Sequence, residues 1–172
     1  PGGLTSHMTE QQFQQTARDD LASIPHVSGL NNHMGSLLTR HPGAMAWLMD
    51  VVKEHAGLFF VDSKTSAGTV AMEIAAEKEL PTAMRDVFLD NVQEKKAIRK
   101  QFRRLIKLAK EHGSAIGIGH PHPTTLAVLK HELPKLGSSG VKLIPASQLV
   151  RMQHGSEHWY ASMHHLPKVV KK

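Results

Sequence analysis

The 172-residue sequence contains no cysteine. This excludes a disulfide, a thiolate zinc site and a cysteine nucleophile, and it leaves the compartment open. Aromatic residues make up only 5% of the chain, too few to supply the stacking surfaces of a nucleic-acid module, and no such module is visible. No apolar run reaches the roughly 18–20 residues that a membrane-spanning helix needs. A signal-peptide pattern is also missing, and the chain opens on Pro1-Gly2-Gly3 without an initiator Met, as a processed form or a fragment would. G-x-S-x-G, P-loop and G-x-G-x-x-G patterns do not occur, which argues against a serine hydrolase and a nucleotide-binding domain. Gly117-Ile118-Gly119 stands late on its strand and lacks a third glycine.

What is present suits a globular protein. Hydrophobic residues are 40% of the chain and there are 13 glycines, and the length supports one medium domain with a real core. We read residues 1–152 as that domain and 153–172 as an aperiodic tail. The formal net charge is +6. Much of it is local: Lys95, Lys96, Arg99, Lys100, Arg103, Arg104, Lys107 and Lys110 share one segment. They fall off the apolar stripe of that segment, so the expectation is a solvated helix face and no nucleic-acid partner. Of the 13 histidines, His33, His120 and His122 follow apolar runs, whereas His154, His158, His164 and His165 lie in the tail.

The chain alternates apolar runs with helical patterns. Thr9 and Gln12 form a capping box ahead of a helix that turns Phe13, Ala17 and Leu21 to one face and runs to about Ser23. A short strand over Val27–Leu30 leads into Asn31-Asn32-His33. Pro42 opens a second helix with Ala44, Trp47, Leu48, Val51 and Val52 inward, and Gly57 is expected as its C′ residue. Leu58–Val61 reads as a strand buried on both faces. The helix after Asp62-Ser63-Lys64-Thr65 turns Val70, Ile74 and Ala75 inward and stops at Pro81. Met84–Leu89 is the next expected strand. Asn91 with Glu94 caps a long helix that buries Ile98, Phe102, Leu105 and Ala109 and ends at Gly113. A strand over Ser114–Ile118 precedes a helix whose inward stripe is Leu126, Leu129, Leu133 and Leu136, with Pro134 ending or kinking it. Val141–Ile144 reads as a last strand and Ser147–Met152 as a short helix.

This β-loop-α repetition with short loops implies parallel strands and right-handed crossovers. About five strands are expected, too few for a closed eight-stranded barrel. The chain is therefore an open sheet or the later part of a barrel. Side chains with chemistry collect at carboxyl ends of strands: His33, Asp62, Asp90 and His120.

Each has more than one reading. His33 can ligate zinc or a similar divalent ion, or be satisfied by backbone groups; Asn31 and Asn32 can orient it or bond a substrate. Asp62 can ligate a metal, orient a histidine, act as a base, or cap the following helix. Asp90 has the same capping role as its plainer reading, in competition with Asn91. In a regular strand Arg85 and Asp90 face opposite sides, so either Arg85 lies in the preceding loop or only one of the pair lines a site, and a surface salt bridge is the plainer role of Arg85. His120, between Gly119 and Pro121, is placed for general acid–base work near neutral pH. His122, two residues on, could share a metal with it, but Pro121 limits its freedom and it is read as loop. A metal-activated water flanked by histidine and aspartate suits this set.

Asn31-Asn32-His33-Met34-Gly35-Ser36, Phe60-Val61-Asp62-Ser63-Lys64-Thr65, Arg85-Asp86-Val87-Phe88-Leu89-Asp90 and Ile118-Gly119-His120-Pro121 together resemble the divergent polysaccharide deacetylases, from about Pro1 to Val150. The resemblance implies an α/β fold, a distorted (β/α) barrel of which this chain covers the later β-α units. It implies a divalent metal, with Zn the expected ion, and hydrolysis of N- or O-acetyl groups on a polysaccharide or cell-wall glycan, in the periplasm or outside the cell. His33 would sit at the metal. His120 would be the late catalytic histidine, with Asp62, Arg85 and Asp90 lining or supporting the site and Asn31, Asn32 and Ser36 meeting substrate. The family's paired-aspartate motif and a further histidine motif have no counterpart here, so the chain is expected to lack the family's amino-terminal part. The alternative reading is a non-catalytic relative that binds carbohydrate or cell envelope on the same fold.

Overall fold

A computed structural model of the chain describes residues 2–154. Six α-helices and five short strands alternate along it. The strands are β1 (Gly29–Asn31), β2 (Phe59–Asp62), β3 (Thr82–Met84), β4 (Val87–Phe88) and β5 (Gly117–Ile118). The helices are α1 (Glu10–Ala22), α2 (Pro42–Lys53), α3 (Ala71–Glu77), α4 (Lys95–His112), α5 (Pro123–Glu132) and α6 (Ala146–His154). All strand pairs are parallel: β1-β2-β3 form one sheet and β4-β5 a second. The α/β class and the parallel sheets are as expected. No sheet closes among the described residues, so the strands stand as two open parallel sheets and the distorted barrel implied by the resemblance is not seen in them.

β2 explains the layering. Side chains alternate along a strand, and here Phe60 points to one face and Val61 to the other. Phe60 joins Phe13, Leu48, Met49, Val52 and Ala75 in a core that packs α1, α2 and α3 on the sheet. Val61 joins Ala83 and Val150 of α6, with Phe59, Ile116 and Ile118 against them. Both faces of the central strand are therefore buried, as its apolar run indicates. Phe13 meets Trp47 edge to face at 5.8 Å, which accounts for Trp47 as a core residue. The capping box of Thr9 and Gln12 is formed in both directions, and Pro42 occupies the first turn of α2.

Several expectations give way to tertiary context. Met84–Leu89 is two strands, not one. The chain leaves β3 at Arg85, whose N–H donates to Asp62 O at 2.9 Å, and Asp86 N–H then donates to Ile116 O at 2.9 Å. This step carries the backbone from one sheet to the other. The cap at Asn91 does not form; α4 starts at Lys95 with Glu94 as N-cap and no side-chain bond there. Gly57 has φ of 87° but stands in the turn beyond α2, whose C-cap is Glu54. Of the four α4 stripe residues only Ile98 and Phe102 are fully buried. Leu126 is 53% exposed, and α5 buries Thr125 and Val128 instead. Val141–Ile144 pairs with no strand among the described residues and is not itself a strand. Pro134 does end α5, within a 3-10 turn over Leu133–Lys135, and α4 ends on left-handed Gly113 at φ 83°.

Gly29 is needed for close approach. A Cβ there would meet ring atoms of Phe59 at 2.4 Å, and Phe59 is the neighbour across the β1–β2 register. Gly29→Ala should therefore cost about 1–3 kcal/mol through displacement of that ring. Equilibrium urea unfolding measures it, and an unchanged midpoint would contradict the packing.

Candidate active site

The carboxyl ends of β1, β2, β4 and β5 open onto one cleft of about 940 Å³. Its lining includes Asn31, Asn32, His33 and Ser36 from β1 and the loop after it, Arg85 and Phe88 from the β3–β4 step and β4, and His120 after β5.

Asp90 and His120 form its best-built part. The Asp90 side chain is fully buried, and His120 is 37% exposed. Oδ2 of Asp90 accepts the His120 backbone N–H at 2.6 Å and the Thr125 hydroxyl at 2.9 Å. Oδ1 lies 3.1 Å from His120 Nδ1. Burial pushes the Asp90 carboxyl up, but the three hydrogen bonds outweigh it and hold the group below the usual carboxylate range. The carboxylate thus fixes both the backbone and the ring of His120. Phe88 closes on that ring edge-on at 5.4 Å.

Two further imidazoles adjoin it. The His33 ring centre is 5.7 Å from that of His120 and the His122 centre 5.4 Å. Among the described residues, Asp90, His120 and His122 are the group whose donor atoms all lie within 4.8 Å of one another, as a single ion requires. Two imidazoles and a carboxylate are an ordinary zinc donor set. His33, the residue singled out as the ligand, stands beside this group on the exposed loop after β1 rather than within it. His122, read from the sequence as loop, belongs to it. Its Nε2 also lies 3.1 Å from Gln93 Nε2.

The amide-rich stretch binds its neighbour loop. Asn31 Nδ2 donates to Ser63 Oγ at 2.9 Å, and Asn32 Oδ1 accepts the Ser63 N–H at 2.8 Å. Ser36 Oγ donates to Thr65 O at 3.2 Å, and Thr65 Oγ1 donates to Met34 O at 3.1 Å. These bonds latch the loop after β1 to the loop after β2. The latch holds Met34 at φ 57° and Lys64 at φ 49°, a left-handed backbone that side-chain-bearing residues seldom adopt.

Asp62 lies beneath the cleft, not on its lining. It is fully buried. Its Oδ1 accepts the Lys64 N–H at 2.8 Å and its Oδ2 the Thr69 hydroxyl at 2.8 Å, while Thr69 Oγ1 accepts the Ala71 N–H at 3.3 Å. Asp62 therefore shapes the loop and, through Thr69, the start of α3. Arg85 reaches the cleft because the β3–β4 step breaks the alternation. Its Nε and Nη2 donate to Ser63 O at 2.6 Å and Lys64 O at 2.8 Å, and its guanidinium stacks 5.2 Å from the Phe88 ring centre. Burial lowers its pKa, opposed by the charges of Asp62 and Asp86; an arginine so placed remains a cation. Sequence reasoning missed Thr125, Phe88 and Asp86, whose Oδ2 accepts the Ile116 N–H at 2.7 Å. The His-x-His spacing of His120 and His122 was the one local signal for a shared ligand group.

The model of the divergent polysaccharide deacetylases matches residues 1–150. The chain belongs to that family. It is 37% identical over 147 residues to the uncharacterized protein YibQ of Escherichia coli, covering 86% of this chain and 46% of YibQ. It is 40% identical over 135 residues to an uncharacterized protein of Haemophilus influenzae, covering 78% of this chain and 48% of that one. The chain thus spans about half the length of these curated relatives. The crystal structure of the uncharacterized protein ATU2773 from Agrobacterium tumefaciens superposes with a TM-score of 0.82 at 24% identity, over 87% of this chain and 60% of that chain. That likeness shows that the chain shares its fold with that structure. Among the described residues no helix is long and apolar enough to cross a membrane.

Proposed function

We propose that the cleft serves a deacetylase: hydrolysis of an N- or O-acetyl group on a carbohydrate, with His120 as the group that passes a proton to the leaving atom. The observation that carries this is the buried Asp90 carboxylate bonded to the ring of a cleft-lining histidine. Such a pair fixes one ring nitrogen and presents the other for proton transfer. Arg85 and the latched asparagines shape the floor on which a sugar would lie. A divalent ion, when bound, would polarise the acetyl carbonyl and acidify a water. His33 and His122 are the imidazoles beside His120 suited to hold it, with Asp90 and His120 as the tightest alternative donors. The glycan substrate and a periplasmic or secreted setting follow from family membership and belong to the same proposal.

The test is acetate release from acetylated glycans in a chain extended to the length of the relatives, alongside zinc content of this chain after dialysis. Zinc lost in His33→Ala but kept in Asp90→Asn assigns the ion to the His33 side and leaves His120 free as the acid. Zinc lost in Asp90→Asn and His122→Ala but kept in His33→Ala puts His120 in the metal shell and overturns its acid role. No acetate from any acetylated glycan with metal present would sink the reaction.

The second reading is a non-catalytic glycan binder. It is favoured by the loop after β1, which carries the single imidazole of His33 and leaves it outside the group of donors close enough to share an ion. Glycan binding that survives chelation and His120→Ala would select it.

A further inference from the structure

The cleft has a basic wall that deacetylation does not require. Arg104 and Gln101 of α4 line it, as do Lys64 and Arg85. The outer side of α4 is reached from Arg104 at about 100° per residue. Going round from the cleft, Lys100, Lys107, Lys96, Arg103 and Lys110 follow in turn over about 120°. The band ends at Arg99, which pairs with Glu132 of α5 at 3.3 Å. Two acidic side chains stand near it. Glu111 pairs with Lys107 at 3.6 Å, and Glu94 caps the helix start. Lys96, Lys100, Arg103 and Arg104 are otherwise exposed or half-exposed and have no carboxylate partner among the described residues. The cleft itself holds one lining carboxylate, Asp86, already bonded to the Ile116 N–H.

A solvated helix face needs no such arrangement. Helices that are merely solvated intersperse acids at i+4, which gain a few tenths of a kilocalorie each as pairs. Here α4 leaves most of its cations uncompensated and delivers one edge of the band to the cleft. Residues 96 to 110 rise about 21 Å along the helix axis, the length of several sugar units rather than one. An open cleft continuous with such a band concentrates a polyanion and aligns it along the helix.

We propose that the substrate is an anionic polysaccharide, bearing carboxylate or phosphate groups, that runs from the cleft along the basic face of α4. This rests on the glycan reading of the cleft and names the class of glycan. Arg104 and Lys64 meet the anion beside the reacting sugar, and Lys100 and Lys107 meet the units beyond it. The sparse aromatics of the cleft agree with this: the chain holds its sugar by charge more than by stacking.

The test titrates this chain with four probes at low salt: O-acetylated polygalacturonate, poly(ribitol phosphate), O-acetylated neutral xylan and a single-stranded oligonucleotide. Expected is binding at least about ten-fold tighter for one or both anionic glycans than for xylan, with the difference shrinking as salt rises. Whichever anion binds tighter identifies the charged group. Lys100→Gln with Arg104→Gln should remove most of the preference. Lys53→Gln with Lys142→Gln makes the same charge change on exposed sites outside the cleft lining and should leave the preference in place. Equal binding of charged and neutral glycans, equal loss in both double variants, or an oligonucleotide that binds as tightly as the anionic glycans would each overturn the proposal. Acetate release separates the two claims. Charge-selective binding without acetate from any glycan defeats the deacetylase reading alone, whereas acetate release with no charge preference defeats this one alone.

Discussion

On the proposed deacetylase reading, His120→Ala in a chain extended to the length of the relatives should lower acetate release by about 10²- to 10⁴-fold, the usual worth of a positioned general acid or base. The same substitution should cost about 1–2 kcal/mol of stability, because Asp90 Oδ1 loses its partner in a buried setting. The two effects can be separated. His120→Gln retains an N–H that can donate toward Asp90 but cannot carry a proton at neutral pH. It should therefore recover most of the lost stability and none of the lost rate. Acetate assays and urea midpoints on both variants decide this. If His120→Gln restores the rate along with the midpoint, the histidine is structural and the proton donor lies elsewhere. If neither variant slows the reaction by more than about three-fold, His120 has no role in proton transfer at all.

How much of this arrangement was legible in the sequence depends on where each determinant sits. Local determinants were readable. Phe13, Ala17 and Leu21 face one way because i, i+4 and i+8 share a helix face, and Thr9 and Gln12 cap because the motif is complete within four residues. The four strand-end motifs were readable for the same reason, and they carried the family. Long-range determinants were not. Thr125 turns inward because its hydroxyl meets Asp90 at a sequence separation of 35, and that swings Leu126 out to solvent. Apolar spacing alone favours the leucine. The break at Arg85 exists because Asp62 and Ile116 offer carbonyls to successive N–H groups, and neither partner is near it in sequence. Val141–Ile144 has the composition of a strand but joins neither sheet among the described residues. Asp62 illustrates the limit for function. Its position at a strand end fits a catalytic carboxylate and a loop-shaping one equally, and only the bonds to Lys64 and Thr69 distinguish them.

Asp90 should prove the most costly polar residue of the site to remove. Its carboxylate is the partner of the His120 N–H and of the Thr125 hydroxyl, and Thr125 is only 1% exposed. Asp90→Ala strands both donors at about 1–3 kcal/mol each, so a loss on the order of 2–5 kcal/mol is expected. Asp90→Asn keeps one acceptor and should lose less. The isosteric variant also gives the pH dependence. Asp90 is held below the usual carboxylate range, burial opposing and its three hydrogen bonds prevailing. A group with a depressed folded pKa stabilises the fold above its unfolded pKa, about 3.9 for aspartate, and that contribution fades as pH falls through the folded value. The stability difference between the parent chain and Asp90→Asn should thus be full near neutral pH and shrink below about pH 4. Other carboxylates titrate alike in both chains and cancel. Urea unfolding from pH 7 to pH 3 with chelator present, so that no ion contributes, measures the difference at each pH. A difference that stays constant on acidification would mean that Asp90 is not the charged anchor of His120. The dyad, and the acid role built on it, would then have to be given up together.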